Sequence, residues 1–170
     1  MVFVCVVLLY VVMARGPSFF VSEGEVRASG ILFYCLKGGR CYYLFRRQDG
    51  RWCDIGGKTE SEDVNPLDTA VRECCEETNG HMFSEDHTFE DCRAECMRLI
   101  SENPPIVMYS KRSKYLLHMV KVKAHYMRNM KRFGRLEKHT SQKHYYKWMS
   151  MPYKLHPRLA PLKTSIKNQV

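Results

Sequence analysis

Three carboxylates dominate the chemistry open to this chain. Glu73, Glu76 and Glu77 stand at i, i+3 and i+4 in the stretch Arg72-Glu73-Cys74-Cys75-Glu76-Glu77. A helix through them brings all three to one face. Like charges there repel, so such a helix does not gather them for stability alone. A hard divalent cation removes the repulsion. Mg²⁺ takes oxygen ligands in octahedral geometry, keeps some of its waters, and bridges carboxylates to substrate phosphates. Arg72, beside Glu73, can hold a carboxylate through paired hydrogen bonds and fix its orientation. A solvated acidic helix face is the alternative reading of the helix taken alone.

Upstream, Gly56-Gly57 would let the backbone approach a ligand closely. Together these residues resemble the signature of the Nudix hydrolase family. Gly57, five residues and then Asp63 fit its first part, and Arg72-Glu73-Cys74-Cys75-Glu76-Glu77 fits its second, with Cys74 in the apolar slot. Trp52-Cys53-Asp54-Ile55-Gly56-Gly57-Lys58 resembles the family's lead-in. Three departures stand out. Eight residues separate Asp63 from Arg72 where the pattern has seven, Asp63 replaces the usual Glu, and Asn79 holds the Gly position with Gly80 after it. The extra residue is expected in the loop around Asn65-Pro66, where length costs little. Asn tolerates left-handed backbone, so that change is mild. None of this touches the acidic face. The resemblance covers residues 26–80, and extends with a weaker pattern over 105–125 and 133–160.

The resemblance implies an α/β fold, an α/β/α sandwich around a mixed sheet. It implies cleavage of a nucleoside diphosphate linked to another group, with Mg²⁺ or Mn²⁺ as cofactor. Glu73, Glu76 and Glu77 would bind the metal, and Glu76 or Glu77 would also activate water. In some members the base comes from a later loop. Glu137, one of two acids after residue 100, is the candidate here for base or third ligand. Its other role is as partner to the surrounding Lys and Arg residues. Arg46, Arg47 and Lys58 are candidate phosphate contacts beside Gly56 and Gly57. Trp52, Tyr145 and Trp148 could stack on a base, although such aromatics are more often core, and Trp148 reads as structural.

The elements that must position these groups are legible in outline. Residues 26–36 and 41–46 read as a hairpin turned by Gly38-Gly39. Residues 49–59 read as a Gly-punctuated loop. Asn65 can cap a helix with Pro66 in its first position, running to Thr78 and ending at Asn79-Gly80. Residues 86–102 form a second helix, an insertion relative to compact family members, stopped by Pro104-Pro105. Ile106–Tyr109 and Tyr115–Val122 are strand-like. A short strand near Trp148 and a final helix near Arg158 are expected. Residues 14–25 read as a loop or lead-in. The domain is expected over 26–160, after an apolar N-terminal segment and lead-in (1–25) and before a basic tail (161–170).

Residues 2–13 are apolar throughout, too few for a spanning helix, which needs about 20. No basic region precedes them, as a signal peptide requires. They suit a buried strand, an appendage before a start at Met13, or a membrane contact joined to the basic tail. The eight cysteines lack the spacing of a disulfide framework, and most sit in apolar runs as reduced thiols do. That points to a reducing, intracellular compartment, the cytoplasm. Cys92 and Cys96, four apart with His81 and His87 nearby, leave zinc as a lesser alternative.

Charge is divided unevenly along the 170 residues. Residues 1–100 carry 11 basic and 16 acidic side chains; residues 101–170 carry 16 basic and only Glu102 and Glu137. A free nucleotide needs only a few cations. Basic runs interleaved with Tyr resemble a surface that tracks a phosphate backbone while rings stack on bases. That favours an RNA-linked diphosphate such as a 5′ cap as the substrate. Decapping Nudix proteins of large DNA viruses resemble this profile, and the compartment would then be the host cytoplasm. Free (di)nucleotides, diphosphoinositol polyphosphates and a non-catalytic RNA-binding module are the alternatives. No stable protein partner is inferred.

Overall fold

The computed structural model describes residues 16–127 and 145–169. The segment 2–13, Met13, Cys5, Phe133-Gly134 and Glu137 lie outside the described residues.

The chain opens with a small antiparallel hairpin, β1 (Phe19–Val21) and β2 (Gly24–Val26). A loop was the expectation here, because three-residue strands are too short to show alternation. Next come β3 (Ala28–Lys37) and β4 (Arg40–Gln48), turned by Gly38 and Gly39 at φ 57° and 70°. The supposed loop at 49–59 contains two further strands, β5 (Arg51–Cys53) and β6 (Ile55–Lys58). Asp49-Gly50, both at positive φ, makes the tight turn between β4 and β5.

These two short strands shape the site. β3 pairs with β4 over 34–37 and with β6 over 28–31, on the same edge. β4 pairs with β5 over 46–48. The β5–β6 ribbon is thus wedged into the fork where β3 and β4 separate. At the wedge the Tyr115 hydroxyl passes between Gly30 and Gly56, where an added Cβ would meet it at 2.0 and 2.4 Å. Bulk is excluded there, which is why glycines stand at 30 and 56.

Helix α1 (Pro66–Thr78) has the predicted bounds. The Asn65 side chain accepts from the Asp68 N–H at 2.9 Å, a cap worth about 1 kcal/mol. Asn79 sits at φ 53° and the Gly80 N–H reaches Cys75 O at 2.8 Å, closing the C-terminus. Helix α2 (Phe89–Glu102) starts three residues later than expected, because Thr88 and Asp91 form a reciprocal capping box. Strands β7 (Ile106–Ser110), β8 (Tyr115–Lys121) and β9 (Tyr145–Met149) complete the sheet. The final helix, α3 (Lys163–Asn168), begins beyond Arg158, after a 3₁₀ turn at Ala160–Leu162.

The main sheet runs β5-β4-β3-β8-β7, with β6 on β3 and β9 on β4. β3 and β8 are parallel and the other pairs antiparallel, so the sheet is mixed. Alternation divides its side chains between two cores. Ile31, Phe33, Cys35, Leu44, Val120 and Tyr146 face α1 and α2. Leu32, Tyr43, Phe45, Leu117 and Met119 face the C-terminal segment through Leu159, Leu162 and Ile166. The result is a three-layer α/β/α sandwich. Cys74, Cys75, Cys92 and Cys96 fill the α1–α2 contact as fully buried thiols. No helix among the described residues is long and apolar enough to cross a membrane.

Candidate functional site

Arg72 is the hub of the acidic helix. Its Nε and Nη2 meet the two oxygens of Asp63 at 2.9 and 3.1 Å, and Nη2 also donates to Lys58 O at 2.9 Å. Nη1 lies 2.9 Å from Glu76, 3.3 Å from Glu73 and 3.6 Å from Glu60. One guanidinium therefore ties the Asp63 loop to β6 and gathers three carboxylates around a single nitrogen. Burial would push the Asp63 carboxyl up, but the Arg72 fork, the Glu60 N–H and the Thr69 hydroxyl hold it below its ordinary value.

Glu73 lies against the backbone of Gly57. A Cβ there would stand 2.2 Å from Glu73 Oε1. Burial raises the Glu73 carboxyl to about 7, and Arg72 opposes the shift only in part. Glu76 is raised as well, by burial, although its side chain keeps 42% of its exposure. An acid that is half in water and held by an arginine can exchange protons with solvent; an acid on a glycine backbone cannot move aside.

Glu77 differs from its two neighbours. It is buried in an ion pair with Arg46, and Tyr146 donates to its backbone carbonyl at 2.8 Å. Arg46, expected on phosphate, is 5% exposed and committed to this pair. The reason is register: Leu44, Arg46 and Tyr146 share the face under α1. Lys58 is exposed at the end of β6, and Arg47 is exposed on the opposite face from Arg46. Trp148 packs in the core beside α1. Trp52 and Tyr145 lie on the other face, rings 6.0 Å apart.

Behind the glycines is a second polar group that sequence reading missed. Asp54 is fully buried. Arg158 donates to its Oδ1 at 2.9 Å, to its backbone carbonyl at 3.0 Å and to Gly56 O at 2.9 Å, and stacks on Tyr115. Tyr115 donates to the other Asp54 oxygen. Glu60 was missed too. The only signal was its place in the acidic run before Asp63, and that carries no geometry. His118, on β8 beside Ile31, is buried, and burial lowers its imidazole to about 4.

The donor set suits a hard cation. Glu60, Glu73 and Glu76 present oxygen donors gathered around the positive charge of Arg72. Among the described residues no three His, Cys, Asp or Glu side chains are arranged as a ready cage.

Fold and site thus define a mixed-sheet α/β/α protein with an arginine-centred acidic helix beside a glycine ribbon. No family model matches the chain. A curated relative, the uncharacterized protein L534 of Acanthamoeba polyphaga mimivirus, is 37% identical over 60 residues, 31% of this chain. The match spans 20% of that relative's length. Among solved structures, a binary complex of the C. elegans Ap4A hydrolase aligns over 85% of this chain and 96% of its own, with 15% identity and TM-score 0.49. A second structure of that hydrolase aligns over 74% and 80%, with 15% identity and TM-score 0.38.

Proposed function

We propose that this chain is a Nudix-type pyrophosphohydrolase, dependent on Mg²⁺ or Mn²⁺, that cleaves a nucleoside diphosphate linked to RNA, as in a 5′ cap. The carrying observation is the set of carboxylates at Arg72, with Glu73 held on the Gly57 backbone. Glu73 and Glu76 would hold the metal. Glu77 can serve as a further ligand only if its pair with Arg46 opens. A metal held there would supply neutralisation of the diphosphate charge and a more acidic water.

The chain's own residues then do the positioning. Arg72 orients Glu73 and Glu76 and links them to Asp63. Glu76, the more exposed of the pair, accepts the proton of the attacking water. Gly57 leaves room for the Glu73 carboxylate and a nearby phosphate. Lys58, exposed beside them, offers a cation to the diphosphate. Glu137 remains a candidate base. The basic second half supports an RNA-linked substrate over a free nucleotide, and the cytoplasm, that of a host if the chain is viral, is the compartment such a substrate requires.

The test is turnover of cap-labelled RNA with Mg²⁺ or Mn²⁺, beside Glu76→Gln and Glu77→Gln and a panel of free dinucleotides and diphosphoinositols. Release of a nucleoside diphosphate from RNA, lost in Glu76→Gln, is the expected result. Hydrolysis of the free compounds alone would keep the chemistry and reject the RNA substrate. RNA binding without turnover would favour a non-catalytic module.

A further inference from the structure

The face of the sheet away from α1 carries a feature that the acidic site does not use. Register aligns Tyr145 on β9, Arg47 on β4 and Trp52 on β5 in one row, with Arg47 in the middle. The two rings lean together over it, centroids 6.0 Å apart and planes at 52°. Beside β5 runs a fourth lane. The Trp52 N–H donates to Lys154 O and the His156 N–H to Trp52 O, so residues 154–156 lie parallel to the strand. Tyr153, at the start of that lane, is 91% exposed, and Tyr145 is 55% exposed. Arg47 and Lys147 are exposed on the same face.

No Asp or Glu occurs in β4, β5, β9 or residues 150–163. Folding thus sets the exposed rings of Tyr145 and Tyr153 and the half-buried ring of Trp52 beside cations, with no acid on the strands that carry them. A row of rings at strand spacing, interleaved with cations, complements unstacked bases on a phosphate chain. A duplex hides its base faces and offers such rings nothing.

We propose that the Tyr145–Arg47–Trp52 row, extended by Lys147 and Tyr153, is a docking surface for single-stranded RNA. It deepens the reading of an RNA-linked substrate and rests on it for biological meaning. Arg46 faces Glu77 and the next residue, Arg47, faces the row, so the surface borders the same end of the sheet as the acidic helix. An RNA whose 5′ end lies at the acids would pass round that end of the sheet to reach the row.

Binding of a fluorescein-labelled, uncapped 12-nucleotide single strand tests this by anisotropy, with the full chain in EDTA so that no turnover occurs. Tyr145→Ala should weaken binding about tenfold, and Tyr145→Phe should retain it, because the ring rather than the hydroxyl stacks. Arg47→Gln should lower the slope of log K against log salt by about 0.7. In a Trp148→Phe background, the strand should quench the fluorescence of Trp52. Unchanged affinity in a folded Tyr145→Ala chain would overturn the proposal. So would a duplex of equal length that binds as tightly and responds equally to Tyr145→Ala. Glu76→Gln should bind the strand normally, so loss of cap turnover and loss of this surface remain separable.

Discussion

The Gly57 backbone and the Glu73 carboxylate occupy one space: a Cβ on Gly57 would stand 2.2 Å from Oε1 and 2.5 Å from the carboxyl carbon. Glycine is needed here for its missing side chain, since Gly57 has no positive φ. Gly57→Ala should push Glu73 aside by about an ångström. Misplacement of that size costs roughly 100-fold in turnover. The thermal midpoint should move little, because β6 can keep its pairing with β3. Turnover within threefold of wild type would show that the Glu73 position is not critical.

Arg72 makes a different prediction, on stability. It is 9% exposed and neutralises Asp63, itself 1% exposed. Removing one partner of a buried pair costs about 3–5 kcal/mol. Urea unfolding of Arg72→Ala should show a loss of that order, and Arg72→Lys should recover only part, since an ammonium cannot reproduce the fork. Full stability in Arg72→Lys would mean that charge alone suffices.

The C-terminal segment is expected to be structural as well as basic. Arg158 reaches the buried Asp54 and the carbonyl of Gly56. Arg158→Met should cost about 3–5 kcal/mol by leaving the buried Asp54 charge without a counter-ion. Asp54→Asn in that background should restore part of the loss. Equal urea midpoints for wild type and Arg158→Met would remove this role.

His118 sets part of the acid limit. Its ordinary value near 6.5 falls to about 4 through burial. Between those values the unfolded chain binds a proton that the folded chain does not. Stability therefore drops as pH falls from 6.5 towards 4, by up to on the order of 3 kcal/mol. The difference between wild type and His118→Gln, measured by urea unfolding at pH 7 and pH 4.5, should reveal this slope. Parallel pH profiles would show that His118 does not supply it.

The amino-acid order alone determined the local parts. Asn65, Pro66 and Asn79 bound α1 through cap chemistry that acts within a few residues. The spacing of Glu73 and Glu76 follows from the helix repeat and needs no distant contact. The hairpin of β3 and β4 was legible from Gly38-Gly39, and β7 and β8 from their apolar runs. β5 and β6 were not: three residues are too few to show alternation in β5, and the glycines of β6 carry no side chains to alternate; the constraint on Gly56 is the Tyr115 hydroxyl, which comes from far along the chain. Tertiary structure alone decided which charges meet. Arg46 faces Glu77 because β4 pairs with β9 in one register, and a shift by one residue would turn it to the opposite face. Arg158, read as lying near a final helix in the basic second half, is drawn inward by a buried carboxylate more than 100 residues away. Sequence spacing carries no record of such pairs, because burial and long-range geometry create them only when the sheet closes.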